Sequence, residues 1–202
     1  MKAFDPIKYG IHIGKGLANP EKTQFWLNIP KCASNTVSHH LLRKQWKKAT
    51  IHDAKYETVY VCLRDPVERW KAATLELCYH HLLVHKQGLR DFDSWFARRD
   101  FENFDRNLDM HHVHQVDYLY YCDLSKCEFL YIDNIFNEKL AKTFDIDEEI
   151  TTKNSIQNND YKKQIKCYVD EMMTSDFVNH LTDFYKSDYE LINNVNDPEH
   201  SF

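Results

Sequence analysis

The run Thr58-Val59-Tyr60-Val61-Cys62-Leu63, followed at once by Arg64-Asp65-Pro66, constrains this chain more than any other stretch. Six β-branched or apolar residues without alternation describe a strand covered on both faces, the mark of a parallel sheet in an α/β fold. Asp65 then suits an N-cap, and Pro66 the first position of a helix that runs to about His85. A second strand-to-helix junction lies upstream. Phe25–Ile29 reads as a strand that Pro30 stops, and Thr36 to about Lys48 reads as a helix with Val37, Leu41, Leu42 and Trp46 on one side.

The remaining elements are weaker. Phe92–Arg98 and Leu108–Tyr121 read as helices, Glu128–Ile132 as a third short strand, Glu138–Phe144 as a short helix, and Asp160–Met173 and Ser175–Tyr185 as two C-terminal helices. Residues 1–22 hold three of the four glycines and read as an irregular lead-in. With 202 residues and 43% hydrophobic content, one domain over 1–202 with a real core is expected. The expected fold is α/β and P-loop-like: three α/β/α layers, a short, mostly parallel central sheet and a helical C-terminal half.

A net charge of −5 argues against a general nucleic-acid binder, which needs a basic face. It leaves room for a small basic pocket. No apolar run approaches the ~20 residues of a membrane span, and the N-terminus shows no apolar signal region. The expectation is a cytoplasmic protein, of a compactness that fits a bacterial or viral source, with its six cysteines as free thiols.

In a parallel sheet both junctions fall at the carboxyl edge, where ligands bind. Each opens a helix whose first N–H groups suit an anion. The first, Pro30-Lys31-Cys32-Ala33-Ser34-Asn35-Thr36, adds a lysine and short polar side chains. The second adds Arg64, a planar fork for a second phosphate. Two anionic groups on one ligand are therefore expected. The first loop holds no glycine, so it is not a triphosphate-wrapping Walker loop. Read blandly, it is an ordinary junction capped by Ser34 or Thr36, and Arg64 and Arg69 merely pair with Asp65 and Glu68, a reading that fits Arg69 better than Arg64 at its strand end.

"IPKCASNT" followed by "VYVCLRDPVERW" resembles the paired signature of the PAPS-dependent sulfotransferases, closest to the carbohydrate, heparan-sulfate 2-O-sulfotransferase-like type. "LDMHHVHQVDYL", "EFLYIDNIFNEKLAKTF", "KNSIQ" and "FYKSDYELI" are similar to later segments of those enzymes, so the resemblance spans roughly 24–193. It implies transfer of a sulfuryl group from 3′-phosphoadenosine 5′-phosphosulfate (PAPS) to a hydroxyl, most simply of a sugar, by in-line displacement without a metal. It implies that Pro30 to Thr36 hold the 5′-phosphosulfate. Lys31 would contact the 5′-phosphate and the bridging oxygen, and Arg64 and Arg69 the 3′-phosphate. The family's serine eight residues after the arginine is Ala72 here, a departure that bears on 3′-phosphate binding; whether Thr74, two residues on, compensates is left open by the sequence. Shorter than a Walker loop and reliant on hydroxyls, such a loop has less need of glycine.

The resemblance leaves the base open. His52, just upstream of the arginine strand, is the first candidate; His111, His112 and His114 are rivals, with Glu76 and His80 behind them. His112 and Gln115 would face the acceptor. A zinc site from these histidines with Cys122 and Cys127 fits common ligand spacings poorly. Cys32 has no evident catalytic neighbour, so packing is its expected role. Two other functions compete: a binding protein on a degenerate sulfotransferase fold, motivated by Ala72, and a P-loop-type kinase, which lacks its Gly-Lys-Ser/Thr.

Overall fold

A computed structural model of the chain describes residues 13–85, 110–150 and 160–196. The expected helix at Phe92–Arg98 and the "KNSIQ" segment lie outside them. The described residues form an α/β protein that gathers into two compact units. One comprises 13–65, 114–150 and 187–196; the other comprises 66–85, 110–113 and 160–186.

The first unit holds a five-stranded mixed sheet in the order β3-β1-β2-β4-β5. Its strands are β1 (Lys15–Ala18), β2 (Gln24–Leu27), β3 (Lys47–Thr50), β4 (Thr58–Leu63) and β5 (Cys127–Tyr131). β2, β4 and β5 run parallel, with Phe25 opposite Val59 and Cys62 opposite Leu130. β1 pairs antiparallel with both β2 and β3. Every residue from Val59 to Leu63 is buried, as the unbroken apolar run requires.

Two expectations change here. The lead-in contains a strand, β1, whose Gly16 packs too close to its neighbour for any side chain: a Cβ would sit 1.8 Å from the Trp26 carbonyl oxygen. The first helix, α1 (Ser34–Arg43), is shorter than its apolar spacing suggests. Lys44 ends it, Gln45 turns the chain at φ 66°, and the polar Lys47–Thr50 continues as edge strand β3. Trp46 sits in that turn, edge-on to Phe144 at 5.6 Å.

Helix α2 (Pro66–His85) follows the second junction. Leu108–Tyr121 is not one helix. It holds a 3-10 turn at Met110–His112 and a four-residue helix α3 (Gln115–Tyr118). α4 (Phe136–Phe144) packs on β5, and α1 on β1. The C-terminal half is helical: α5 (Asp160–Met172), α6 (Ser175–Phe184) and α7 (Lys186–Asn196), the last not foreseen as a separate element. Within the second unit, α2 packs on α5, α6 and the 3-10 turn, with Trp70 edge-on to Phe177 at 5.2 Å. Among the described residues no helix is long and apolar enough to cross a membrane.

Candidate anion-binding site

The first unit brings the ends of β2 and β4 side by side, so the loop at Pro30–Ala33 and the Arg64–Asp65 segment share one edge of the sheet. The loop is built on left-handed backbone. Lys31 has φ 66° and Ala33 φ 56°. Such conformations are ordinarily given to glycine. In loops of this kind successive amides form concavities that bind anions.

The Cys32 N–H closes a turn on the Ile29 carbonyl at 3.2 Å, and helix α1 starts directly behind. Its N-cap is Ala33, which has no side chain to satisfy the first turn, and that turn contains no acid. Ser34 does not substitute for a cap, because its hydroxyl donates back to the Ile29 carbonyl at 2.8 Å. A ten-residue helix thus begins with amides that no side chain caps, which favours an external anion. Thr36 is buried and Asn35 exposed.

Arg64 touches the same loop, its guanidinium Nη1 donating to the Lys31 carbonyl at 3.4 Å. What fixes Arg64 is Gln115, which is fully buried. The Gln115 amide accepts from the Arg64 N–H at 3.0 Å and donates to the Arg64 carbonyl at 2.8 Å. Its Oε1 also accepts from the Cys32 thiol at 3.2 Å. One side chain therefore ties both junctions together. Gln115 is engaged by the Arg64 backbone and the Cys32 thiol and does not face an acceptor. Cys32, 1% exposed, packs and hydrogen-bonds, in keeping with its expected role.

A second tie comes from α7. Asp188, fully buried, accepts from the Gln115 and Val116 N–H groups at 2.9 and 3.0 Å. The carboxylate thus caps α3 from 73 residues away. His114 Nδ1 lies 3.1 Å from the Ser187 hydroxyl and 4.0 Å from Asp188, a buried pairing that holds this corner. The Tyr189 hydroxyl donates to Asp65 at 3.1 Å. Burial, then the Asp65 and Asp133 carboxylates, raises the Tyr131 phenol above its usual range, so Tyr131 at the end of β5 stays protonated. Beneath the loop, burial pushes the Cys62 thiol up to about 12, against a weaker opposing effect of Trp26.

His52 sits on the same edge. β1 runs antiparallel to β2, so its start lies at the end of β2, where the Asn28 N–H donates to the Lys15 carbonyl at 2.9 Å. Thr50, at the end of β3, registers with Lys15, and His52 follows in an exposed turn. Asp53 staples that turn, accepting from the Thr50 N–H at 2.7 Å and the Thr50 hydroxyl at 2.8 Å, and these bonds hold its carboxyl below its usual range. β3 is two strand spacings from β2, about 10 Å.

The other expected site residues lie in the second unit and are engaged there. Arg69, 1% exposed, donates from Nη1 to the Val113 carbonyl at 2.7 Å. It is an arginine of that unit's interior, not one exposed at its surface. Thr74 is fully buried, with its hydroxyl 3.0 Å from His112 Nε2, so it does not stand in for the serine replaced by Ala72. His112 is 2% exposed, packs edge-on to Trp70 at 6.0 Å, and its carbonyl accepts from the Tyr185 hydroxyl at 2.6 Å. That environment suits a core histidine better than a base working on an acceptor.

The six cysteines are unbridged. Cys122 and Cys127 share a hydrogen bond across a short turn, which lowers the Cys122 thiol and raises that of Cys127. Among the described residues no group of three or more histidines, cysteines and carboxylates could hold a metal ion. Compared with protein-family models, with curated proteins and with solved structures, the chain matches none.

Proposed function

We propose that this chain is a PAPS-dependent sulfotransferase that moves a sulfuryl group to a hydroxyl acceptor, most simply of a sugar, in the cytoplasm. The observation that carries the reading is the uncapped start of α1 behind left-handed Lys31 and Ala33, with the Arg64 guanidinium bonded to the same loop. Those groups fit the 5′-phosphosulfate end of PAPS: amides and a helix dipole for the oxygens, and a lysine at the turn. When bound, PAPS supplies an activated sulfuryl group on a phosphate leaving group.

Each residue then has a defined task. The Lys31 ammonium offsets negative charge gathering on the leaving phosphate, the largest catalytic term in transfers of this type. The loop amides and the α1 N-terminus orient the phosphosulfate. Arg64, held by Gln115, presents its fork to the remaining phosphate. His52, exposed on the same edge, removes the acceptor's proton.

A second reading has its own support. Arg69 and Thr74 are committed inside the second unit, and Ala72 offers no donor, so the second clamp rests on Arg64. A chain of this kind is also suited to binding the nucleotide without turning it over. Calorimetry with 3′,5′-adenosine bisphosphate tests the shared core of both readings. The wild type should bind, and Lys31→Ala and Arg64→Ala should each weaken binding at least tenfold. Transfer of labelled sulfate from PAPS across a panel of sugar and phenol acceptors then separates enzyme from binding protein. Tighter binding of ATP–Mg²⁺ than of the bisphosphate would instead favour a kinase.

A further inference from the structure

We infer that Asp188 and Gln115 are positioning residues through which helix α7 sets the affinity of the anion loop, an assignment that rests on the anion-binding part of the sulfotransferase reading. An unbroken path of hydrogen bonds joins α7 to that loop. The two Asp188 carboxylate oxygens accept from the Gln115 and Val116 N–H groups at 2.9 and 3.0 Å. The Gln115 Oε1 offers one lone pair to the Arg64 N–H at 3.0 Å and the other to the Cys32 thiol at 3.2 Å. Its Nε2 donates to the Arg64 carbonyl at 2.8 Å. The Arg64 guanidinium in turn reaches the Lys31 carbonyl at 3.4 Å. Asp188 and Gln115 are both fully buried, so neither is open to a ligand. Whatever they do for an anion, they do through Arg64 and Cys32.

The path fixes both halves of the site. Arg64 leaves the end of β4, and the orientation of its peptide groups sets where the guanidinium points. Cys32 stands between left-handed Lys31 and Ala33, so a fixed thiol steadies the turn that aims the loop amides. Taking the Gln115 amide away would strip two hydrogen bonds from the Arg64 backbone in a part-buried place, where water replaces them poorly.

Gln115 does not hold this pose unaided. It opens α3, a helix of four residues, too short to be stable on its own. The Asp188 carboxylate satisfies the first two amides of that helix. α7 keeps Asp188 in place by burying Leu191 and Ile192, by the Ser187 hydroxyl 3.1 Å from His114 Nδ1, and by the Tyr189 hydroxyl, which donates to Asp65 at 3.1 Å. Asp65 follows Arg64, so α7 grips the same segment twice. An anion that needs Arg64 and the loop in place therefore binds tightest with α7 docked, and in binding it holds α7 down by the same factor. A merely structural α7 would add stability without that reciprocity.

The test uses the whole protein, with 3′,5′-adenosine bisphosphate as the probe. Affinity is read by calorimetry, Cys32 accessibility by iodoacetamide alkylation and mass spectrometry, and α7 docking by hydrogen exchange. Saturating bisphosphate should slow both α7 exchange and Cys32 alkylation in the wild type at least threefold. Asp188→Asn and Gln115→Met should each weaken bisphosphate binding, and speed Cys32 alkylation, at least tenfold. The double variant should bind within threefold of Gln115→Met, because both changes break one path. Leu140→Ala, a core change in α4, should lower thermal stability at least as much yet bind within threefold of wild type. Binding by Asp188→Asn within threefold of wild type, additive losses in the double variant, or an equal loss in Leu140→Ala would overturn the assignment. Should Asp188→Asn not fold, Gln115→Met and the wild-type protection of α7 decide on the same thresholds. If the wild type does not bind the bisphosphate, the sulfotransferase reading falls and Cys32 decides the rest. Alkylation at least tenfold faster in Asp188→Asn, but not in Leu140→Ala, then keeps α7 as the support of the loop, and a smaller change removes it. If every variant binds the bisphosphate equally, the sulfotransferase reading stands and the role of α7 falls.

Discussion

Ala33 carries the conformational cost of the loop before α1. A left-handed alanine is disfavoured by about 1 kcal/mol relative to glycine, and Lys31 is held the same way two residues earlier. Ala33→Gly should therefore raise stability by roughly 0.5–1 kcal/mol in urea unfolding, reduced by glycine's greater freedom in the unfolded chain. It should leave bisphosphate affinity nearly unchanged. A clear loss of stability would mean that the alanine methyl is needed for packing. On sequence grounds this loop had little need of glycine, because hydroxyls would do the work of close backbone. The loop does turn sharply, with other residues bearing the strain. The placing of Lys31 and Arg64 on one edge of the sheet was legible because each directly follows a strand-to-loop junction. Gln115 and Asp188 were not, because their partners lie up to 73 residues away and buried amides leave no local pattern.

Elements were legible where apolar residues run together. β4 and β5 stand almost where their β-branched and aromatic runs predict, and α2 starts at its Pro66. β1 and β3 were missed because both are four residues long and rich in lysine, glycine or threonine. β3 closes one edge of the sheet, and its lysines are the charges by which exposed edges resist further pairing. β1 depends on Gly16. Gly16→Ala would drive a methyl into the Trp26 carbonyl and within 2.7 Å of the Phe25 ring. It should destabilise the protein by roughly 3 kcal/mol or more, comparable with severe overpacking. Hydrogen exchange should show lost protection in β1 and β3 first. Unchanged stability would contradict the tight register of β1 on β2.

At the scale of the whole molecule, an α/β fold with a helical C-terminal half was readable from alternating strands and helices. Its gathering into two units was not, because at 113–114 and 186–187 the chain passes between them without a Pro- or Gly-rich linker. The first unit's core also sets an alkaline limit. Cys62 titrates near 12 when folded, above its ordinary value of 9.0. Folding favours the neutral thiol, so its contribution is complete below about pH 9 and is lost as pH rises toward 12. Urea unfolding at pH 8 and 10.5 should show a loss that Cys62→Val reduces. An identical pH dependence in that variant would mean that other groups govern alkaline unfolding.

The central claim is that two junctions on one sheet edge form a clamp for a nucleotide with two anionic groups. Titration calorimetry of the full chain with 3′,5′-adenosine bisphosphate addresses it most directly. The account predicts saturable one-to-one binding that weakens at least tenfold in Lys31→Ala and in Arg64→Ala. Absence of heat and of competition by PAPS in the wild type, or full binding by both variants, would contradict it.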